Sequence, residues 1–434
     1  MDRSLGTIER HWWRLGLSVA ANSIWIANVD GPLPEDILRQ ALAITQRAHP
    51  LLSVRIDSTQ GEPKFVTDPH ADAPVRVIHR TYEDTWIPEA HAELNKPVPP
   101  DKAPLFRVVF VKGDSRSDII INFHHVIVDG SGALVFRDLL SFCGQLLQGA
   151  HPTVQNPGLP PLIDHRIPKQ YRGMINTRRI VDFLKKRITK RTRILRQLPQ
   201  KEPDYPLEKR ITRFILHSLS REETQRLLEV CRNHKTTFYG ATAAAFLLAA
   251  NRQVQLREGE HLALSNAISL RSYLEPPLGD EICCCAVGGI LTSHSVAGTT
   301  DFWDLAVSIR ADLRDAIDRG ELFYPGFLLR RIFLRLARSQ ERFIRTLSKG
   351  TKSALMYSSI GVFRIPTEYG GLRLRSLITF PSLHVCKVIG LLTTTFDGVA
   401  HFDFLYPDPV IERSVAEYVA DNAMAILREK ISRG

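Results

Sequence analysis

The sequence predicts a mixed α/β chain built as two domains of similar size, and three observations carry that expectation. Its 434 residues exceed the roughly 250–300 at which a single hydrophobic core stops growing. Strand-like and helix-like patterns are interleaved in both halves, which favours layered sheets and helices over an all-α or all-β chain. Between the halves, Pro152, Pro157, Pro160 and Pro161 lead into a basic stretch closed by Pro199, Pro203 and Pro206, the texture of a connection. The expected organisation is an N-terminal domain at 1–168, a basic connection at 169–206 and a C-terminal domain at 207–434.

In chain order, 23–29 reads as a strand and 34–48 as an amphipathic helix, with Pro34 at its start and Ile37, Leu38, Ala41, Leu42 and Ile44 near helical spacing. Strands at 52–56 and 64–66 flank a turn-rich 57–63, and 74–79 adds a short strand. After Pro97, Pro99, Pro100 and Pro104, a second strand pair is expected at 105–111 and 118–123, running directly into His124-His125-Val126-Ile127-Val128-Asp129-Gly130. Ser131 would cap a helix reaching about residue 147.

The second half opens with a strand at 213–219, a helix marked by the capping box of Ser220 and Glu223, and an alanine-rich helix around 242–250. Strands follow at 262–270, 282–291, 355–362, 372–379, 389–396 and 399–405, with helices at 302–317, 326–347 and 413–430. No repeat recurs at a fixed period of 20–50 residues, which argues against a solenoid.

Composition narrows the classes. With 44% hydrophobic and 24% charged residues and 26 each of Gly and Pro, the chain is neither disordered nor collagenous. The net charge of +11 favours a partner carrying phosphate or carboxylate. Six cysteines, three of them consecutive at Cys283, Cys284 and Cys285, form no disulfide framework; the run looks like strand packing in a reducing compartment. No signal peptide is visible, and the small apolar run at 241–250 is about half the roughly 20 residues a bilayer span needs. A cytoplasmic protein, peripheral to a membrane at most, is expected.

The chemically pointed feature is the segment 124–130. An imidazole at the end of a buried strand suits general-base work, because a neutral histidine with a pKa near 7 can take a proton from an attacking hydroxyl or amine. Adjacent residues of an extended segment face opposite ways, so at most one of His124 and His125 readily addresses a given cavity. Asp129 could orient the imidazole or hold the loop. By chance, His-His-x-x-x-Asp-Gly arises on the order of once or twice per thousand chains of this length and composition. Metal binding fares worse, since the two histidines diverge and no His-Glu-x-x-His or Cys-x-x-Cys accompanies them.

On this motif the chain resembles the HHxxxDG acyltransferases of the chloramphenicol-acetyltransferase-like fold, a superfamily that includes peptide-synthetase condensation domains and plant BAHD acyltransferases. Ile268-Ser269-Leu270-Arg271-Ser272-Tyr273-Leu274-Glu275-Pro276-Pro277 looks like the family's second element, and Ala48-His49-Pro50-Leu51-Leu52 also looks like that family. The late Asp-Phe-Gly-Trp-Gly of the plant branch is absent, as is any adenylation or carrier module. The chain is therefore most similar to the free-standing, polyketide-associated branch of phthiocerol/phthiodiolone dimycocerosyl transferase-like enzymes. The resemblance implies two subdomains in a V-shaped pseudo-dimer, one central sheet each, around a tunnel. It makes His125 the catalytic residue and His124 its supporting neighbour. Asp129 would pair with Arg271 from the other half, where a guanidinium offers a two-pronged fork, and Gly130 would keep the tunnel open beside His125. Ser359, on a late strand, could donate to an oxyanion or be an ordinary strand serine.

The resemblance implies transfer of a fatty or polyketide acyl group from CoA or a phosphopantetheinyl carrier protein to a hydroxyl, with no tightly bound cofactor and no metal. No Ser or Cys is recognisably placed as a nucleophile, so no acyl-enzyme is expected. An amine acceptor giving an amide, and a non-catalytic carrier- or lipid-binding relative, are the alternatives; loss of the second histidine or the glycine would mark the latter, and both are present. Two basic segments, 169–196 and 327–349, interleave Arg and Lys with apolar residues and could meet an acidic carrier, CoA phosphates or an anionic membrane. No nucleic-acid motif accompanies the charge, and a monomer is expected.

Overall fold

The structure, a computed structural model, describes residues 2–171, 194–279, 281–296, 301–323, 330–337, 339–350 and 353–433. Its Cα packing gives two compact units, one of Met1–Arg166, Arg271–Ala286 and Val362–Ser382, the other of Ile167–Leu270, Val287–Gly361 and Leu383–Gly434. The first break between the units falls at Arg166. Two segments of the second half, Arg271 among them, pack with the first. Hydrogen bonding gives the reason: Leu372–Pro381 pairs antiparallel along nearly all of Asn22–Asp30, while Arg271 and Ala286 both bond to Asp129.

The first unit is built on a six-stranded sheet in the order Glu368–Tyr369, Leu372–Pro381, Asn22–Asp30, Arg116–His124, Phe106–Lys112, Val75–His79. Only the last pair is parallel. Ile119, Ile120 and Ile121 on the central strand are wholly buried, so both faces of the sheet are covered there. Helix Gly132–Leu147 lies close enough to the Glu368–Tyr369 strand that a Cβ at Gly144 would meet the Tyr369 carbonyl at 2.6 Å. Two helices escape sequence reasoning, Thr7–Gly16 and Trp86–Asn95. The first is held at its start by Glu9, which takes the Gly6 amide at 2.6 Å and the Arg3 guanidinium at 2.7 and 2.9 Å, and by Asp164, which takes the Thr7 amide at 3.0 Å.

The second unit centres on a sheet in the order Val287–His294, Glu260–Ser269, Leu355–Val362, Ile389–Phe396, Val399–Asp408, Ile211–Leu219, with Ile194–Arg196 paired alongside Glu260–Ser269. One face carries Leu262, Leu264, Leu355, Tyr357, Ile389, Leu391, Phe402 and Phe404 into a core shared with helix Phe238–Val254. Thr237 caps that helix through the Gly240 amide at 3.1 Å, and Ala241–Ala250 is its buried stretch, a core helix as expected. Small residues let the neighbouring backbone approach: a Cβ at Gly240 would lie 2.6 Å from the Ala306 carbonyl of helix Phe302–Asp318. Ser220 and Glu223 form the expected capping box.

Two expectations are corrected. The strand expected at 282–291 begins only at Val287, because residues 283–286 leave the sheet to bind the 124–131 segment. In the expected helix 326–347, Arg330–Leu336 and Gln340–Gly350 are separate helices. Most of the basic segment 169–196 lies outside the described residues. Among the described residues, no helix is long and apolar enough to cross a membrane.

Candidate active site

Strand Arg116–His124 delivers the motif from the centre of the first unit's sheet, and after His124 the chain turns into helix Gly132–Leu147. His124 still belongs to the ladder, opposite Asn22. Its Nδ1 accepts from the Val126 amide at 3.1 Å, so the neutral ring carries its proton on Nε2. That Nε2 is buried and has no hydrogen-bond partner among the described residues, and a Cβ placed on Gly16 would collide with it. Burial first, then the charge of His125, pulls the His124 pKa down to about 3. His124 is a neutral packing ring, and Gly16 is the residue that admits it.

His125 is held differently. Its amide donates to the Ala21 carbonyl at 2.7 Å, and its Nδ1 lies 2.7 Å from the Val128 carbonyl. A carbonyl can only accept, so Nδ1 carries the proton and Nε2 keeps the lone pair a general base needs. Trp12, from helix Thr7–Gly16, stacks on the imidazole with centroids 4.0 Å apart and planes at 15°. Burial lowers the His125 pKa, opposed by its backbone hydrogen bonds and the charge of Asp129, and so favours the neutral ring.

Asp129 turns away from the imidazole to fasten the loop. One oxygen accepts from the Ser131 amide at 2.9 Å and from Arg271 Nη2 at 3.2 Å; the other accepts from the Ala286 amide at 2.8 Å. The expected pairing of Asp129 with Arg271 is present, but the two-pronged fork is not. The second guanidinium arm, Nη1, donates instead to the Gly279 carbonyl at 3.0 Å, and Nη2 also reaches the Cys284 carbonyl at 3.2 Å. Burial is the largest single influence and works against the Arg271 cation, but the charges of Asp129, Cys284 and Cys283 together with the Asp129 hydrogen bond outweigh it and raise the pKa. Gly130, next in the chain, is exposed.

Sequence reasoning missed the wall of this site. Cys283–Cys285 is not strand packing: Ser131 Oγ bonds the Cys284 backbone at 3.3 Å, and Cys285 Sγ lies 3.9 Å from His125 Nδ1. Nor does Ser131 cap its helix, since its hydroxyl is spent on this loop. Burial pushes the Cys283 thiol up to about 12 and raises Cys284 as well, so neither is a ready thiolate. Trp12 gave no signal beyond its place in an unrecognised helix. Ser359 lies in the second unit, exposed. Among the described residues no group of three His, Cys, Asp or Glu side chains could hold a metal ion. What the arrangement offers is one oriented, neutral imidazole with a free acceptor nitrogen, braced by an aspartate–arginine pair, in a chloramphenicol-acetyltransferase-like fold.

Comparisons with known proteins agree with that class. The condensation-domain family model matches residues 16–257, and the model of the phthiocerol/phthiodiolone dimycocerosyl transferase C-terminus matches 208–380. The first match covers more than half of the chain, which therefore belongs to the condensation-domain family. A phthiocerol/phthiodiolone dimycocerosyl transferase of Mycobacterium tuberculosis is 24% identical over 304 residues, 68% of this chain and 69% of the relative. Polyketide synthase associated protein 5 of the same organism superposes with a TM-score of 0.68 at 17% identity, covering 98% of both chains. The trichothecene 15-O-acetyltransferase of Fusarium sporotrichioides gives 0.77 at 12% identity, covering 99% of this chain and 95% of that one. The enzyme class is acyltransferase.

Proposed function

We propose that His125 is the general base of an O-acyl transfer from a CoA or carrier-protein thioester to a hydroxyl acceptor. The observation that carries this reading is the 2.7 Å contact of Nδ1 with the Val128 carbonyl, which leaves Nε2 as the basic nitrogen. Nε2 takes the acceptor's hydroxyl proton as the oxygen attacks the thioester carbonyl. The tetrahedral intermediate then collapses, the C–S bond breaks, and the departing sulfur takes the proton back from the imidazolium, leaving an ester and a free thiol. The indole face of Trp12 stabilises the imidazolium that forms in passing. Arg271, Asp129 and the Cys284–Ala286 backbone hold the loop that aims the ring, and exposed Gly130 leaves the approach clear. No thiol is asked to carry the acyl group, in keeping with the raised pKa values of Cys283 and Cys284.

A fatty or polyketide acyl group is the donor class that fits the relatives' names. The protein acts as a monomer, and an acidic carrier or anionic membrane meets it through Arg335, Arg342 and Arg345, exposed on Arg330–Leu336 and Gln340–Gly350. Thiol release from acyl thioesters, measured with alcohols, diols and amines and with His125→Ala, tests the reading. Release should require a hydroxyl acceptor and fall about a hundredfold to ten-thousandfold in the variant. A fully active His125→Ala would overturn it.

A further inference from the structure

Apart from the motif, the second unit carries a cationic cavity of about 430 Å³, lined wholly by its own residues. Arg210, Lys387, Asp204, Gln197, Gln200 and Ser348 supply its polar groups. Arg210 is the unusual member, at only 4% exposure. Its Nε donates to the Tyr205 carbonyl at 3.0 Å and its Nη1 to the His384 carbonyl at 3.2 Å. Among the described residues its Nη2 has no partner and the cation forms no ion pair. Burial is the largest influence on its pKa and lowers it, against the opposing pull of Cys386, Asp204 and Glu208. Lys387 is the second cation of the cavity. Its ion-pair partner among the described residues, Asp204 at 3.8 Å, is fully exposed and so screened by water.

A buried cation is costly without a counter-charge, and two backbone carbonyls supply dipoles only. Spare guanidinium donors beside an ammonium suit an anion with several oxygens. A carboxylate brings one charge and two oxygens, whereas a phosphomonoester brings about −1.5 to −2 near pH 7 and three terminal oxygens, which matches two cations. The volume lies at the lower end of the roughly 300–1,000 Å³ of small-molecule sites, more than inorganic phosphate fills, so the phosphate arrives on an organic body. The Gln200 amide nitrogen donates to Gln197 at 3.1 Å and the Ser348 hydroxyl to the Arg345 carbonyl at 3.1 Å. Each of these two side chains keeps an oxygen able to accept, the complement of a ligand's hydroxyls.

We propose that this cavity binds a phosphomonoester carried on a small hydroxylated body, with Arg210 and Lys387 as the phosphate contacts. The site is complete within one unit, and nothing in it depends on the acyl-transfer reading. Two sources carry that chemistry: a soluble glycerol or sugar phosphate, and the phosphorylated inositol headgroup of a lipid surface. Calorimetric titration of the full chain with sn-glycerol 3-phosphate, glucose 6-phosphate and the diester glycerophosphocholine tests the first. Sedimentation with phosphatidylcholine vesicles carrying phosphatidylinositol, with or without a monoester phosphate on its ring, tests the second. The diester should bind at least about tenfold more weakly than the monoesters, and lowering the pH from about 7.5 to 5.5 should weaken a monoester as its dianion gains a proton. Binding of the soluble monoesters assigns the free metabolite; vesicle binding that needs the ring phosphate, with no response to the soluble monoesters, assigns the headgroup.

Lys387→Gln should weaken whichever monoester binds by about tenfold while leaving the ligand-free unfolding midpoint in place, and raising salt should shrink the difference. Arg210→Lys keeps the charge and loses the fork, so it should weaken the same ligand. Because Arg210 also ties two loops, that variant is read only if it unfolds cooperatively; Lys387→Gln, at a partly exposed position, decides the matter without it. A ligand bound to the wild type should also raise its unfolding midpoint with concentration, and the rise should be smaller in Lys387→Gln. Equal affinity in wild type and Lys387→Gln, equal affinity for monoester and diester, or no binding of either source to the wild type overturns the proposal.

Discussion

Asp129 and His125 sit four positions apart in a motif that invites reading them as a relay, yet every contact found for the carboxylate goes to Ser131, Arg271 and Ala286. Its influence on the imidazole is through space. Burial is the larger effect and lowers the His125 pKa, while the Asp129 charge raises it. Removing that charge in Asp129→Asn should therefore lower the pKa further and move the acid limb of kcat/KM to lower pH, because the imidazole then stays neutral in more acidic solution. The same variant strands the Arg271 cation, and stability should drop by about 3 kcal/mol in urea unfolding. An acid limb that moves up, or a variant as stable as wild type, would contradict this account. His125, Asp129 and Arg271 were legible from the residues alone because their types and spacing are distinctive. Trp12, Ser131 and the Cys284–Ala286 backbone stayed hidden, since stacking, a side-chain bond to a loop and a backbone donor leave no compositional trace.

Strand Val399–Asp408 shows what alternation alone conveys and what it omits. Phe402, Phe404 and Tyr406 fall on the helix-covered face, as their period of two requires. Asp403 projects to the opposite face at 1% exposure, with neither carboxylate oxygen hydrogen-bonded among the described residues, and burial holds its pKa well above the ordinary value. A raised pKa means that the folded state keeps a proton the unfolded chain has released. Its contribution is then fully present below the unfolded value near 3.9 and is lost as pH rises toward the folded one. Asp403→Asn should match wild type near pH 4 and exceed it by more than about 1 kcal/mol at pH 7.5, read from urea midpoints. A variant less stable at the higher pH would show that the carboxylate has a partner in solution. Element types were readable here because each strand and helix repeats its pattern over several turns or pleats. The start of Val287–His294 was not, because the three cysteines and Ala286 look as apolar as the strand they precede. Their departure from the sheet is imposed by Asp129, a residue more than 150 positions earlier.

The same long-range bonds decide which parts of the chain can fold without the others. A sequence read in order divides at its Pro-rich connection, because composition changes there and nothing local records that Leu372–Pro381 will return to the first sheet. In the folded chain that strand pairs with Asn22–Asp30 from Ser23 to Asp30, and without it an interior strand would become a long apolar edge lined by Ile24, Ile26 and Val29. Asp129 would at the same time lose two of its three donors, Arg271 and the Ala286 amide. A fragment of residues 1–168 should therefore aggregate or unfold without a cooperative transition, although it contains the entire HHxxxDG segment. Supplying 167–434 by co-expression should restore a soluble pair with a sigmoidal urea curve. A fragment that unfolds cooperatively alone would mean that the exchanged strand and loop are accessories rather than part of the first core, and that His125 can be positioned without them.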